Sequence, residues 1–379
     1  MEAFADKDRA TEQAPTGEGA AGVVVLGPGR SGTSAIARAF VAAGFFAGAE
    51  DDLYGPDRGN PLGHLESLAA LEVDEELLGR FGCDWWADAP AEEEQLPHRS
   101  EVVPRLRAIV DSLISSAGGV PAMLKEPRIS GLLPLWWPAL EGVLHPVLAI
   151  RDPLEVALSH SERDGTSIPH ALASWEAQTT AVLRQLDGEE ATIAPYAQLT
   201  ARSETAREVV EAAAAHLDSR RAGLVRPRDA GSALRPDLRR QDAGGLDHAD
   251  YLTPRQLRLW EYARSLPLGR TRLEPPPELR APSTAARETT RRESERVRLR
   301  KAHARLVDEL EKASARESAL ERRLEDAGKR LADVTALARR EAASADRNTR
   351  ELAQLRESAS WKLTAPLRRA KRMLRGSRG

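Results

Sequence analysis

At 379 residues the chain has room for one large domain with appendages, or for two domains. Its net charge of −3 hides local segregation of opposite charges, so the total names no partner. The single cysteine, Cys83, excludes an intramolecular disulfide and a cysteine-based zinc site and fits a reducing compartment, and no run of about eighteen apolar residues exists to span a membrane. Seven lysines stand against 48 arginines, so a single arginine says little, whereas Lys125 is alone between Lys7 and Lys301.

Residues 1–20 are small, charged and aperiodic, which predicts a disordered N-terminus. They lack the basic start and apolar core of a signal peptide, so a cytoplasmic location is expected. A buried strand is predicted over Val23, Val24, Val25 and Leu26, followed by a glycine-rich turn and a helix opening near Thr33. Such a turn aims backbone N–H groups and the positive end of a helix dipole at one spot, which suits a phosphate-like anion. Gly27, Gly32 and Ser34 keep the spacing of a Walker A loop, but Thr33 stands where that loop needs lysine and the basic residue comes earlier, as Arg30. The missing lysine argues against magnesium-dependent ATP or GTP hydrolysis.

The Arg-Ser-Gly-Thr-Ser centre of this turn resembles the 5′-phosphosulfate loop of PAPS-dependent sulfotransferases (PAPS is 3′-phosphoadenosine 5′-phosphosulfate). The resemblance implies that Arg30, Ser31, Gly32, Thr33 and Ser34 hold the phosphosulfate and that no metal is required. The alternative is a glycine turn in another α/β domain. Asn60-Pro61-Leu62-Gly63-His64-Leu65-Glu66 lies in a loop rich in glycine, proline and aspartate, ahead of a helical pattern beginning near Glu66. It looks like a segment of bacterial sulfotransferases, which implies Glu66 as general base and His64 as its rival. The competing reading is a helix-capping glutamate beside a loop histidine. Trp85 and Trp86 mark either an acceptor-side lid or satellite core.

An amphipathic helix is expected over 101–116, then a short apolar strand ending in Lys125-Glu126-Pro127-Arg128. Ligands of open parallel sheets gather at such strand ends. Sulfotransferases carry Lys-Asp/Glu-Pro-Arg here, which implies that Lys125 neutralises the leaving phosphate. Arg128 would hold substrate or the neighbouring loop, and a surface Lys–Glu pair is the alternative for Lys125. A third strand, His145–Ile150, runs into Arg151-Asp152-Pro153, with a helix from about Pro153 and Ser159 eight residues after Arg151. Residue types and spacing match the sulfotransferase 3′-phosphate motif. Arginine and hydroxyl together suit a phosphate monoester, the group that separates PAPS from ATP.

Further on, the pattern predicts a helix over 167–186, a weak strand over Ala191–Ala194, a helix over Glu204–Leu217 and a closing helix over Pro254–Leu266. The sulfotransferase resemblance implies that a late basic segment, through Arg235 or Arg239, closes over the nucleotide. The fold class expected is α/β, a three-layer parallel sheet flanked by helices of the P-loop NTPase-like sulfotransferase type, over 21–270. Residues 271–290 read as a stiff proline-rich linker. Over 291–358 a 4/3 spacing from Leu299 to Leu355 places apolar residues at thirteen of seventeen seam positions, enough to predict a coiled coil and a homo-oligomer. His303, Glu317, Glu341 and Asn348 interrupt that seam. After Glu357 charge is only positive, and Trp361, Leu363, Leu367, Met373 and Leu374 interleave with it. This basic amphipathic tail, 359–379, reads as a peripheral membrane contact, with non-specific nucleic-acid affinity or plain solubility as alternatives and no specific nucleic acid expected. Its Ser-x-Ser-Trp-Lys-Leu-Thr-x-Pro-Leu-Arg run looks like a tail of bacterial polysaccharide glycosyltransferases, which implies a glycan acceptor near the inner membrane. Two other classes stay open: a non-catalytic nucleotide-binding scaffold and a P-loop kinase or NTPase.

Overall fold

The computed structural model describes residues 19–57, 60, 63–83, 90–234 and 241–376, with side chains as far as residue 372. The expectation of disorder over residues 1–20 lies outside these except at its end, where Ala20 pairs with Leu217.

Strand β1 (Gly22–Leu26) is buried on both faces, as a run of β-branched residues in a parallel sheet should be. Helix α1 (Thr33–Ala42) buries Ile36, Ala37 and Phe40 along one side. Helix α2 (Leu68–Arg80) is capped by Ser67, whose hydroxyl accepts from the Ala70 N–H, so Glu66 is not its cap. Helices α3 (Glu92–Gln95) and α4 (Arg99–Ser116) lead into β2 (Ala122–Lys125), α5 (Leu133–Leu140) and β3 (Leu144–Ile150). Helix α6 (Pro153–Asp164) opens on proline, with Asp152 accepting from the Leu154 N–H at 2.8 Å. Then follow α7 (Ile168–Gln185), β4 (Glu190–Pro195), α8 (Tyr196–Ala201), α9 (Ser203–Ala214), α10 (Ser219–Ala222), α11 (His248–Tyr251), α12 (Pro254–Ser265) and β5 (Gly269–Arg272).

The sheet order is β2-β1-β3-β4-β5, parallel except for the antiparallel edge strand β5. Alternate residues of each strand feed two cores. Val24, Leu26, Leu124, Leu148 and Ile193 pack against α2, α4, α5, α7 and α12. Val23, Val25, Met123, Val147 and Ala194 pack against α1 and α9. The result is three layers, helices on both sides of a mostly parallel sheet. Because β1 connects to β2 on one side while β3 lies on the other, the order in which strands are added reverses between β1 and β3, and the crevice at their carboxyl ends is where such sheets bind ligands.

Two expectations need correction at the C-terminal side. The helix α12 does not finish the domain, since β5 pairs with β4 after it. The stretch 271–290 is not a free linker either. Leu273 and Leu279 are buried, and the long helix α13 (Thr284–Glu357) opens with Ala286, Thr290, Ser294 and Val297 buried. The buried carboxylate of Glu176 on α7 accepts from the Ser283 N–H at 2.7 Å and from Arg255, fixing the helix start. Compact packing therefore runs to Leu299, and residues 300–379 form a second unit. In that unit Leu306, Leu310, Leu324, Leu331 and Leu355 of the expected seam are exposed. Two further helices, α14 (Ala359–Leu363) and α15 (Ala365–Gly376), end the described chain.

Candidate functional site

The turn after β1 is built for close approach. Arg30 and Gly32 both adopt left-handed backbone, at φ of 68° and 88°. At Gly32 a Cβ would lie 2.1 Å from the Tyr196 ring, so no other residue fits without displacing that ring. Three side chains that no sequence pattern singled out fix the turn. Ser130 bonds both sides of the Gly27 peptide unit, accepting from its N–H at 2.9 Å and donating to its carbonyl at 3.0 Å. Gln178 on α7 accepts from the Gly29 N–H at 3.2 Å. Tyr196, the first residue of α8, lies against Gly32 and under the Arg151 guanidinium, which is 4.4 Å from its ring centre.

The residues expected at the two ends of the nucleotide meet directly. Arg30 Nε donates to Ser159 Oγ at 2.9 Å, and Arg151 Nη1 donates to the Arg30 carbonyl at 2.7 Å. Glu155, one turn along α6, orients Arg151 by accepting from its Nε at 3.0 Å. Arg30, Arg151 and Ser159 line one cleft of about 660 Å³, which also takes in Gly32, Thr33, Ser34, His64, Glu66 and Lys125. Ser31 is the exception. It is buried rather than lining the cleft, and its hydroxyl has no hydrogen-bond partner among the described residues.

Five cations, Arg30, Arg38, Lys125, Arg151 and Arg163, line the cleft beside four carboxylates, Asp57, Glu66, Glu162 and Asp164. Arg30 has its pKa lowered by burial and then by the nearby Arg163 and Arg151 charges. Among the described residues neither Arg30 nor Arg38 has a carboxylate ion pair. Arg38 donates instead to Asn60 Oδ1 and the Gly63 carbonyl. Crowded, partly desolvated guanidiniums held on neutral acceptors make a site whose electrostatics an incoming anion would relieve. Arg38 was legible in principle, four residues after Ser34 on the same face of α1.

At the other end, Lys125 is fully buried and donates to Glu66 Oε1 at 2.5 Å, Ser34 Oγ at 3.2 Å and the His64 carbonyl at 3.3 Å. Burial lowers its pKa, with Glu66 opposing. Burial pushes Glu66 up, but His64 beside it and the Lys125 ammonium outweigh this and hold the carboxyl at about 2. Glu66 at rest is thus a weak base. His64 sits between two carboxylates, Nε2 at 3.1 Å from Asp57 Oδ1 and Nδ1 at 3.6 Å from Glu66 Oε1, with the Tyr54 ring edge-on to it. Asp57 also pairs with Arg163 across the cleft at 3.2 Å.

Arg128 does not line the cleft. Buried against Glu126 and bonded to Glu75 at 3.0 Å, it holds its own loop instead of a substrate. Lys125 and Glu126 are both buried, so neither belongs to a surface ion pair. Pro61 and Leu62 of the Asn60–Glu66 segment, Trp85 and Trp86 of the expected lid, and Arg235 and Arg239 of the expected closing segment lie outside the described residues. A second cleft of about 500 Å³ adjoins the first at Arg151. It is lined by the strand-end residues Ile150 and Pro195 and by His248 and Trp260. Among the described residues no group of His, Cys, Asp or Glu is arranged to hold a metal ion. No protein-family model, curated protein or solved structure matches the chain.

Proposed function

We propose that the chain is a PAPS-dependent sulfotransferase that moves a sulfuryl group to a hydroxyl acceptor. The observation that carries this reading is the junction of two anion-binding elements: the Arg30 loop after β1 and the Arg151–Ser159 pair after β3 share hydrogen bonds in one cleft. The residues present fit the donor. The buried Ser31 hydroxyl, without a hydrogen-bond partner among the described residues, and Arg30, without a carboxylate ion pair among them, belong to the loop proposed for the phosphosulfate. Arg151 and Ser159 supply charge-assisted and neutral hydrogen bonds for a 3′-phosphate. The second cleft, beside Arg151 and edged by Trp260, has the apolar and aromatic lining a nucleobase needs.

In the reaction the acceptor oxygen bonds to sulfur as the sulfur–oxygen bond to the 5′-phosphate breaks. The bonding pair stays on that phosphate, and the acceptor proton passes to a base. Lys125 is placed to neutralise the departing phosphate oxygen. Glu66 is a poor base at rest, held at about 2 by its neighbours, and His64 is its rival for that role. If Lys125 turns from Glu66 to the leaving group, Glu66 regains basicity in the same event. The hydroxyl of Ser34, which a Walker loop would give to magnesium, is engaged by the Lys125 ammonium, which supports a cation supplied by the chain. A carbohydrate or glycoconjugate acceptor suits the lining, where the polar Asp57, Asn60, Glu162, Thr200 and Gln241 stand beside the apolar Ala35, Pro127 and Leu234.

The competing reading is a non-catalytic nucleotide-binding scaffold. It draws on the closed Lys125–Glu66 pair, which leaves the lysine neutralised in the resting site. Calorimetric titration with PAP (3′-phosphoadenosine 5′-phosphate, the desulfated product) and with ADP tests the donor assignment. PAP should bind at least roughly tenfold more tightly, from hydrogen bonds to a charged group worth about 1.5–3 kcal/mol each. Arg151→Ala should erase the difference. Equal affinity for the two nucleotides in the unaltered protein would sink the assignment.

A further inference from the structure

We propose that residues 358–376 are a docking module for anionic lipid bilayers. The inference is independent of the reaction assigned above. The long helix α13 stops at Glu357, two residues after the last seam position, and Ser358 starts a separate element by accepting from the Trp361 N–H at 3.3 Å. The tail is therefore not a continuation of the seam. Between Ser358 and Gly379 there are seven lysines and arginines and no acidic residue.

The spacing in α15 sorts these charges. At about 100° per residue, Pro366, Leu367 and Ala370 fall within an arc of about 100°, while Arg368, Arg369, Lys371 and Arg372 fall on the opposite side. The sequence continues the apolar spacing at positions 373 and 374. Leu363 and Leu367 are 79 % and 73 % exposed, so the described apolar face is uncovered. At the joint between α14 and α15, the Arg368 guanidinium lies 3.6 Å from the Trp361 ring centre and donates to Thr364 Oγ1 at 2.6 Å. This contact brings an aromatic ring and a cation together at the edge of the apolar strip. Such a pair suits the headgroup level of a bilayer.

The occupant follows from what each candidate leaves unsatisfied. A second copy of the tail would cover the leucines but bring like charges together with no acid to offset them. A nucleic acid would match the cations but leave the leucines in water. An anionic bilayer answers both, taking the apolar side below the headgroups and the cations against them.

The test is co-sedimentation of the full chain with vesicles of phosphatidylcholine alone or with about 30 % phosphatidylserine. Binding to the anionic vesicles should exceed binding to the neutral ones by roughly tenfold or more and should weaken as salt is raised. Leu363→Glu with Leu367→Glu, and separately Arg368→Gln with Arg372→Gln, should each lower anionic-vesicle binding by roughly tenfold or more. Unchanged circular dichroism of both variants shows that helicity survives. Equal binding to the two vesicle types, retained binding by the leucine variant, or a preference for duplex DNA over anionic vesicles would overturn the proposal.

Discussion

Lys125 is the residue on which the two readings of the cleft divide. Its ammonium lies within 3.3 Å of Glu66, Ser34 and the His64 carbonyl. Lys125→Met keeps most of the side-chain volume and removes the charge. Sulfuryl transfer should fall by about 10²-fold or more while PAP affinity changes only a few-fold, because the anion loop and Arg151 are untouched. Assay of both properties on one preparation gives the answer, and full turnover by the variant would leave the scaffold reading standing. The same substitution strips Glu66 of its counter-ion. A buried pair broken on one side costs on the order of 3–5 kcal/mol, so the variant should melt below the parent at pH 8. In the parent the depressed Glu66 pKa contributes stability above the ordinary carboxylate range that is lost as pH falls toward about 2; without Lys125 burial acts on Glu66 with less opposition and its folded pKa rises, so the gap in melting temperature between parent and variant should narrow as pH falls through that range.

Elements meet around a second buried carboxyl pair. Asp74 on α2 and Glu126 after β2 are fully buried, and Asp74 accepts from Trp136 Nε1 of α5 at 2.7 Å. Burial first, and then Glu126 beside it, raises the Asp74 pKa well above the ordinary carboxylate range, and burial raises Glu126 too. A carboxyl whose folded pKa lies above its unfolded one favours folding less as pH climbs between the two values. Asp74→Asn keeps the acceptor for Trp136 and cannot ionise. Its melting temperature relative to the parent should therefore rise from pH 5 to pH 8, by a few degrees; a difference that stays flat with pH would show that Asp74 is ionised throughout. Neither Asp74 nor Trp136 announces this pairing in the chain, because it joins positions 62 residues apart. By contrast β1, β3 and α6 were plain from apolar runs and a first-turn proline. Helix α5 was hidden because its two prolines and all-round burial erase the usual one-sided stripe. Strand β5 was hidden because Gly-Arg-Thr-Arg carries no apolar alternation. It is held by its ladder to β4 and by an edge ion pair, Arg270 to Glu190 at 2.6 Å. At the site, the motif residues were legible by type and spacing. Ser130, Gln178 and Tyr196 were not, since each reaches the loop from a distant element.

For the whole molecule, the exposed leucines of α13 set the expectation of self-association. A helix with Leu306, Leu310, Leu324 and Leu331 all more than half exposed leaves its stripe in water unless another helix covers it. Sedimentation equilibrium of the full chain should give an oligomer, and Leu324→Asn with Leu331→Asn should shift it to monomer with PAP binding intact. A monomeric parent would remove the coiled-coil reading. The anchoring of Ser283 by Glu176 bears on any attempt to separate the compact domain from the helix that follows it. A fragment cut at residue 270 would forfeit the strand partner of β4, bare the neighbours of Leu273 and Leu279, and leave the Glu176 carboxylate with Arg255 alone in a dry interior. Gln178, which steadies the Gly29 amide, is two residues away on α7. Truncation at the apparent end of the domain would therefore loosen the anion loop from behind, and a self-sufficient fragment has to extend beyond Val297.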